Sequence, residues 1–250
     1  MDAGYRILPL VYDRWQGSYG KNFSELIFPR LLRTLRVHRI SGPAMVDVAC
    51  GTGTLALMMA RRGWEVYGVD ASEGMLACAA SKVSRSGLPI TFLRQDMRSL
   101  RLPRLVSLAT SFFDSLNHLI APEDFLSALR SVYAALSPGG WFVFDTNNER
   151  CFTQLWTKSE TVTRREFIMT LANSYDRERR LATSEVTLTL KERGNHGQQV
   201  EMVRERYYPS AEIHAMLEEA GFVVRESDDF DFTESRGLGK IKTWWVVQKI

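Results

Sequence analysis

The strongest constraint on the fold is an alternation that begins at residue 44. "AMVDVAC" is an apolar run of strand length, "TLALMMARRG" has helical periodicity closed by Gly63, and "EVYGVD" reads as a second strand. A helix "SEGMLACAASKVSRSG" closed by Gly87 follows, then the strand runs "ITFLRQD" and "LVSLATSFF". "APEDFLSALRSVYAALSPGG" opens like a helix on Pro122 with acidic residues in its first turn, and the Pro138-Gly139-Gly140 stop is expected to end it. "WFVFDT" is a fifth strand. Apolar strands separated by helices pair in parallel and are covered on both faces. The expected fold class is therefore α/β, a doubly wound, Rossmann-like, mostly parallel sheet.

The flanks differ from this middle. Residues 1–40 read as a helical cap, with Phe23, Leu26, Ile27, Leu31, Leu32 and Leu35 on one face and Pro29 expected to kink or restart the helix. Between 150 and 208 no helix separates "TVTRREFIMTLANS", "RRLATSEVTLTLKE" and "GQQVEMVRERYY", whose polar turns are "YDRER" and "RGNHG". One-sided polarity suits antiparallel strands, so this stretch is expected to be an inserted β-meander. "SAEIHAMLEEAG" then gives a helix with Ser210 as N-cap. The strands "FVVRESDDFDF" and "TWWVVQK", joined by "ESRGLGK", bring the sheet to seven with an antiparallel last strand. One domain over 1–250 is expected.

"DVACGTGTL", Asp47 to Leu55, places a glycine turn between the first strand and its helix, which makes a nucleotide or anion site. No Gly-Lys-Ser/Thr follows, so it is not a triphosphate-cradling loop. A dinucleotide fingerprint is formally met by Gly51, Gly53 and Ala56, with Asp70 about 20 residues on. Four features oppose it. Asp47 precedes the turn where a pyrophosphate would lie, a helical segment precedes the fold, a second acidic turn "RQDM" follows the third strand, and the sheet ends antiparallel.

A chain of 250 residues suffices for one sizeable core. Its three cysteines, Cys50, Cys78 and Cys151, offer neither a disulfide framework nor metal spacing, and no apolar run approaches the roughly 20 residues of a bilayer span. The start lacks the pattern of a signal peptide. A reduced, cytoplasmic protein is expected, a monomer or homodimer with no membrane partner. The net charge of +3 is too small to indicate nucleic acid, and the arginines of "LRQDMRSLRLPR" read as a solvated face.

"VDVACGTG", "GVDAS", "RQDM" and "LSPGGWFVFDT", with the terminal strands, resemble a class I S-adenosylmethionine-dependent methyltransferase over nearly the whole chain. Within that superfamily the chain is most similar to small bacterial enzymes with an inserted antiparallel sheet over the active site, a layout shared by sugar N-methyltransferases and glycine N-methyltransferase. The resemblance implies S-adenosylmethionine as cofactor and no metal. It makes Asp47, Ala49, Gly51 and Gly53 the wall for the methionine part, and Asp70 the holder of the ribose hydroxyls. It puts Ala71 and Met75 against the adenine, Asp96 on the adenine amino group, and the Met97 N–H beside it. The segment "YDRWQGSYGKNF" would close over the cofactor. Asp70 could instead cap a helix, Asp96 could start a turn, and Met75 could be plain core.

Methyl transfer from a sulfonium is an in-line displacement, so positioning dominates, and aromatic faces can hold the cation beforehand. Tyr12, Trp15 and Tyr19 are candidate walls, Tyr12 the first of them and Trp15 more simply core packing. In "SFFDSLNHL", Phe113, Asp114, Asn117 and His118 sit at the carboxyl end of the fourth strand, where open α/β sheets place ligands. By resemblance to sugar N-methyltransferases, His118 falls where a histidine base stands; a capping or packing role is the alternative. Asp114 could meet the cofactor or orient a substrate amine. The turn lacks the Asn/Asp-Pro-Pro-aromatic motif of enzymes that methylate exocyclic amines of DNA or protein amides, and "PRLVSLAT" lacks the acidic residue common at the start of this strand in the superfamily. Trp156, Arg206, Tyr207 and Tyr208 are expected to shape the acceptor pocket, with Arg206 more simply paired to Glu205 or Glu201. The expected function is methyl transfer to a small-molecule N or O acceptor. A nicotinamide-dependent oxidoreductase and a non-catalytic cofactor-binding module are the competing readings.

Overall fold

β1 (Ala44–Val48) is buried along its whole length, as a strand flanked on both edges and both faces must be. In this computed structural model, which describes residues 5–17, 21–84, 86–191, 197–231 and 239–250, it pairs in parallel with β2 (Glu65–Asp70) and with β4 (Val106–Ser111). β3 (Ile90–Arg94) extends the sheet beyond β2, and β5 (Leu136–Asn147) extends it beyond β4, both in parallel. Two late strands complete it: β11 (Lys242–Lys249) runs antiparallel to β5, and β10 (Phe222–Phe230) antiparallel to β11. The order is β10-β11-β5-β4-β1-β2-β3, the seven-stranded α/β sheet expected, with its antiparallel strand at the end of the chain.

Alternation along the strands feeds two cores. Met45, Leu108, Val143, Trp244 and Val246 point to α2 (Phe23–Val37) and α3 (Thr54–Ala60), while Val46, Phe142, Phe144, Trp245 and Val247 point to α5 (Pro122–Ala135) and α7 (Ser210–Glu219). Trp244 and Trp245 are adjacent in sequence, fully buried, and on opposite faces. A third core lies under a separate antiparallel sheet. There β6 (Glu160–Thr163), β7 (Phe167–Asp176), β8 (Leu181–Leu190) and β9 (Gln198–Arg206) pack Phe167, Met169, Val186, Leu188 and Val203 against Ile7, Leu8, Val11 and Met75. This is the antiparallel meander, and "TVTRREFIMTLANS" supplies two of its strands, reversing at residues 164–166.

Three local expectations change. α2 runs unbroken through Pro29, anchored by a capping box between Asn22 and Glu25. α5 stops at Ala135, because buried Leu136 already pairs with Val106; the Pro138-Gly139-Gly140 turn sits inside β5 as the irregularity between Val106 and Leu108. A Cβ on Gly140 would meet the Ser137 carbonyl at 2.8 Å, which explains the glycine. α7 takes Pro209 as N-cap, and the Ser210 hydroxyl turns to His214 instead. The "ESRGLGK" loop and "RGNHG" turn lie largely outside the described residues, and Tyr19 does so entirely. Among the described residues no helix is long and apolar enough to cross a membrane.

Candidate active site

The turn after β1 holds three left-handed residues, Ala49 (φ 55°), Gly51 (54°) and Gly53 (71°), which aim successive backbone groups toward the carboxyl edge of the sheet. Asp70, at the end of β2, ties this turn to the next. Its Oδ2 accepts from the Gly51 N–H and its Oδ1 from the Ser72 N–H, both at 2.8 Å. Burial raises its carboxyl while these N–H groups hold it down. Ser72 in turn caps α4 (Glu73–Val83). Asp47 is buried within β1 and accepts from the Thr110 hydroxyl at 2.8 Å; burial pushes its carboxyl up to about 7.

The N-terminal segment lies over this edge and is fastened at both ends. Glu201 on β9 accepts from three successive amides, Tyr5 (2.7 Å), Arg6 (2.5 Å) and Ile7 (2.8 Å). Within α1 (Tyr12–Gln16), Asp13 accepts from the Thr52 hydroxyl at 2.6 Å and pairs with Lys82 at 2.8 Å; Lys82 also donates to Thr52 and Thr54.

Between the turn, this segment and β9 lies a cavity of about 840 Å³. Its walls include Tyr12, Asp47, Ala49, Gly51, Asp70, Ala71, Met75, Asp96, Met97, Phe113 and His118. Two of the expected site residues are not among the lining ones. Gly53 backs the turn, where a Cβ would come within 2.9 Å of Ala79 and Phe92, and Asp114 points its carboxylate to Lys242. Trp15 packs between Tyr12 (5.7 Å) and Phe23 (6.1 Å), and Asn117 is fully buried, bridging Arg206 and Asn147.

Asp96 starts the turn at Met97–Ser99 by accepting from the Arg98 N–H, and the Arg98 guanidinium clasps it through Nε (3.0 Å) and Nη2 (2.7 Å). Nη1 of Arg98 reaches Asp124 at the start of α5 at 2.8 Å. The clasp holds the Asp96 carboxyl below its ordinary range. Arg98 therefore belongs to the wall, not to a solvated face.

His118 occupies the other side of the cavity. Its Nδ1 stands 3.0 Å from the Arg204 carbonyl, which only accepts, so Nδ1 carries the proton. Nε2 then accepts from the Tyr5 hydroxyl at 3.0 Å. Burial lowers the imidazole, the ionised Asp114 opposing that, so His118 is neutral near pH 7 with a basic Nε2. Behind it Lys242, within a strand, hydrogen-bonds Asp114 (2.5 Å) and forms an ion pair with Asp145 (3.0 Å), and Glu205 accepts from Asn147 at 2.8 Å.

The sequence did not point to Tyr5, Ser72, Arg98, Glu201, Glu205 or Lys242. Only Lys242, a lone cation opening the apolar run "KTWWVV", left a trace. On the antiparallel sheet the wall is Met202, Val203 and Arg204, in place of the aromatic residues expected there. Trp156 and Tyr207 pack on Phe152, Tyr208 packs on Phe125 and donates to the Leu119 carbonyl, and the Arg206 guanidinium lies over Tyr208 at 5.3 Å instead of meeting Glu205 or Glu201.

A sheet of this order, with a cleft of nucleotide size at the carboxyl edge and an acidic group at the end of each of its first three strands, defines a Rossmann-like methyltransferase fold. Residues 45–140 match a family described as "Methyltransferase domain". "Putative methyltransferase YqeM" of Bacillus subtilis (strain 168) is 28% identical over 228 residues, 90% of this chain and 92% of the relative. A "dTDP-3-amino-3,4,6-trideoxy-alpha-D-glucopyranose N,N-dimethyltransferase" of Streptomyces venezuelae is 28% identical over 224 residues, 86% of this chain and 89% of the relative. A crystal structure of an S-adenosylmethionine-dependent methyltransferase from Clostridium acetobutylicum ATCC 824 shares the fold, with a TM-score of 0.78, 21% identity and coverage of 91% and 90%. Residues 45–140 thus carry the methyltransferase-domain match, within a fold shared with S-adenosylmethionine-dependent methyltransferases.

Proposed function

We propose that this chain transfers a methyl group from S-adenosylmethionine to a small-molecule N or O acceptor. The observation that carries the reading is one cavity with two unlike walls: Asp47, Asp70 and Asp96 on the glycine-turn side, and a neutral His118 with Tyr5 facing them. Asp70 has its lone pairs directed by Gly51 and Ser72, which leaves further acceptor sites for ribose hydroxyls. Ala71 and Met75 offer an apolar face for adenine, with Asp96 and the Met97 N–H at its polar edge, and Ala49, Gly51 and Asp47 wall the amino-acid part. Bound there, the cofactor supplies an electrophilic methyl on a cationic sulfur. The chain's own residues position the acceptor, exclude water under the N-terminal segment, and take the acceptor's proton at Nε2 of His118. Tyr12, half-buried beside Tyr5 at 6.2 Å, is the aromatic wall for the cation. Asp114 acts through His118.

The N-methyltransferase named above, matched over most of both chains, favours an amine acceptor. Calorimetry tests the cofactor: S-adenosylhomocysteine binds, NADH gives no heat, and Asp70→Ala weakens binding roughly a hundredfold, equivalent to about 3 kcal/mol. Tight NADH binding without a response to S-adenosylhomocysteine would turn the reading to a dehydrogenase. Silence in a labelled-methyl screen over amines, sugars and phenols would leave a binding module.

A further inference from the structure

We propose that Glu205 and Asp114 share one proton, so that Glu205 is a positioning residue holding Asp114 as the counter-charge to His118 where the two sheets meet. The proposal rests on His118 being the base. Three carboxyl groups, Asp114, Asp145 and Glu205, surround a single ammonium, that of Lys242. Glu205 and Lys242 are each 3% exposed and Asp145 is fully buried. Ionising all three acids would bury a net negative charge without a second cation, which a protein interior does not tolerate. Lys242 contacts Asp114 at 2.5 Å and keeps it ionised.

Glu205 accepts from the neutral Asn147 amide at 2.8 Å on Oε2, and a carboxylate oxygen of Glu205 lies with the Asp114 and His118 ligand atoms, all within 4.8 Å of one another. Burial and the neighbouring Asp114 charge push its carboxyl well up, so its O–H donates to Asp114. Asp145, also raised by burial, accepts from the Asp114 N–H and faces Lys242. Asp114, His118 and Glu205 have the donor set of a metal site, but Lys242, paired with Asp114, already supplies a positive charge there.

Among the described residues the groups facing His118 are the Tyr5 hydroxyl on Nε2, the Arg204 carbonyl on Nδ1, Glu205 at 3.9 Å from Nε2, Asp114 beyond it, and Lys242 and Asp70 acting through charge alone. Methylation forms a bond from the acceptor's nitrogen or oxygen to the methyl carbon while the carbon–sulfur bond of the donor breaks with its electron pair left on sulfur. The acceptor's N–H or O–H bond breaks and that electron pair stays on the acceptor. The Tyr5 hydroxyl, already on Nε2, relays the proton: its own O–H proton moves onto the Nε2 lone pair as its oxygen takes the acceptor's proton, and the imidazolium then gives its proton to solvent. The imidazolium so formed meets one negative charge, because the proton between Glu205 and Asp114 cancels the other.

The test uses the full chain, with ring-nitrogen NMR following His118 and infrared spectroscopy on glutamate-labelled protein. At pH 7 one protonated-carboxyl stretch is expected that Glu205→Gln abolishes. Glu205→Gln keeps both neutrality and a donor, so the His118 midpoint moves by less than roughly 0.3 pH unit, and the acid limb of the turnover profile stays in place. Asp114→Asn lowers that midpoint by about one unit or more, a tenfold loss of proton affinity, and carries the acid limb to lower pH with it. A Glu205→Gln shift as large as that of Asp114→Asn, or an infrared spectrum with no glutamic acid band, overturns the proposal. The infrared measurement on the unmutated protein decides the matter even if Asp114→Asn does not fold. His118→Ala with full turnover overturns the base reading alone and leaves the proton on Glu205 measurable.

Discussion

The two walls of the cavity are built from different material. Along the carboxyl ends of β1, β2 and β3 the wall is mostly backbone, with left-handed turns at Ala49, Gly51 and Gly53 and the short side chains of Asp70 and Asp96, each of which accepts from the N–H two residues on. Opposite it, β9 contributes long buried side chains that reach across the molecule: Glu201 to the first described residues, and Glu205 to Asn147 and toward Asp114. The first wall is local in sequence and tuned by turn geometry. The second is assembled only when the chain is folded, and it depends on desolvated charge.

Three perturbations separate the walls. The largest effect falls behind the second. Lys242→Met leaves Asp114 and Asp145 buried without their cation and is expected to cost about 3–5 kcal/mol in urea unfolding. A loss below about 1 kcal/mol would show that this wall is no more charge-dependent than a surface pair.

Next is Asp47 in the first wall. Its folded carboxyl, near 7, lies above its unfolded value near 4, so the folded state binds the extra proton between those limits. Stability therefore falls as pH rises from about 4 to about 7. Asp47→Asn is expected to remove this slope, gaining roughly 2–4 kcal/mol on the wild type between pH 4 and pH 8. An unchanged slope would mean that another group titrates there.

The smallest is Glu201→Gln, which weakens the grip on three amides by about 1–2 kcal/mol. The readout is faster release of S-adenosylhomocysteine and earlier cleavage within residues 5–17. If neither moves, the second wall does not hold the first closed.

The same contrast explains what could be read in the sequence. The parallel sheet was legible because apolar strands, helices and glycine stops recur with fixed periods from residue 44 onward, and "DVACGTGTL" with Asp70 and Asp96 carries its geometry in short-range turn chemistry. The meander was legible as strands for the same reason. Its contribution to the site was not. Glu201 and Tyr5 are 196 positions apart, and Lys242 and Asp114 are 128 apart, so no local pattern announces them. The conspicuous aromatic residues near the meander's ends proved to pack on Phe152 and Phe125, whereas the wall is formed by the unremarkable "MVR" of β9. Helix ends shifted where tertiary pairing overrode a local stop, as at Leu136.

The doubly fastened N-terminal segment has one more consequence. Glu201 holds it at Tyr5–Ile7 and Lys82 holds it at Asp13, with only a handful of residues between the two points. While either attachment persists, the other re-forms at the high effective concentration of a short tether. Breaking one contact therefore gives a hinged flap that falls back into place. The expectation for a nucleoside bound beneath it is a residence time set by the joint opening of both contacts, an event that weakening either one makes more frequent.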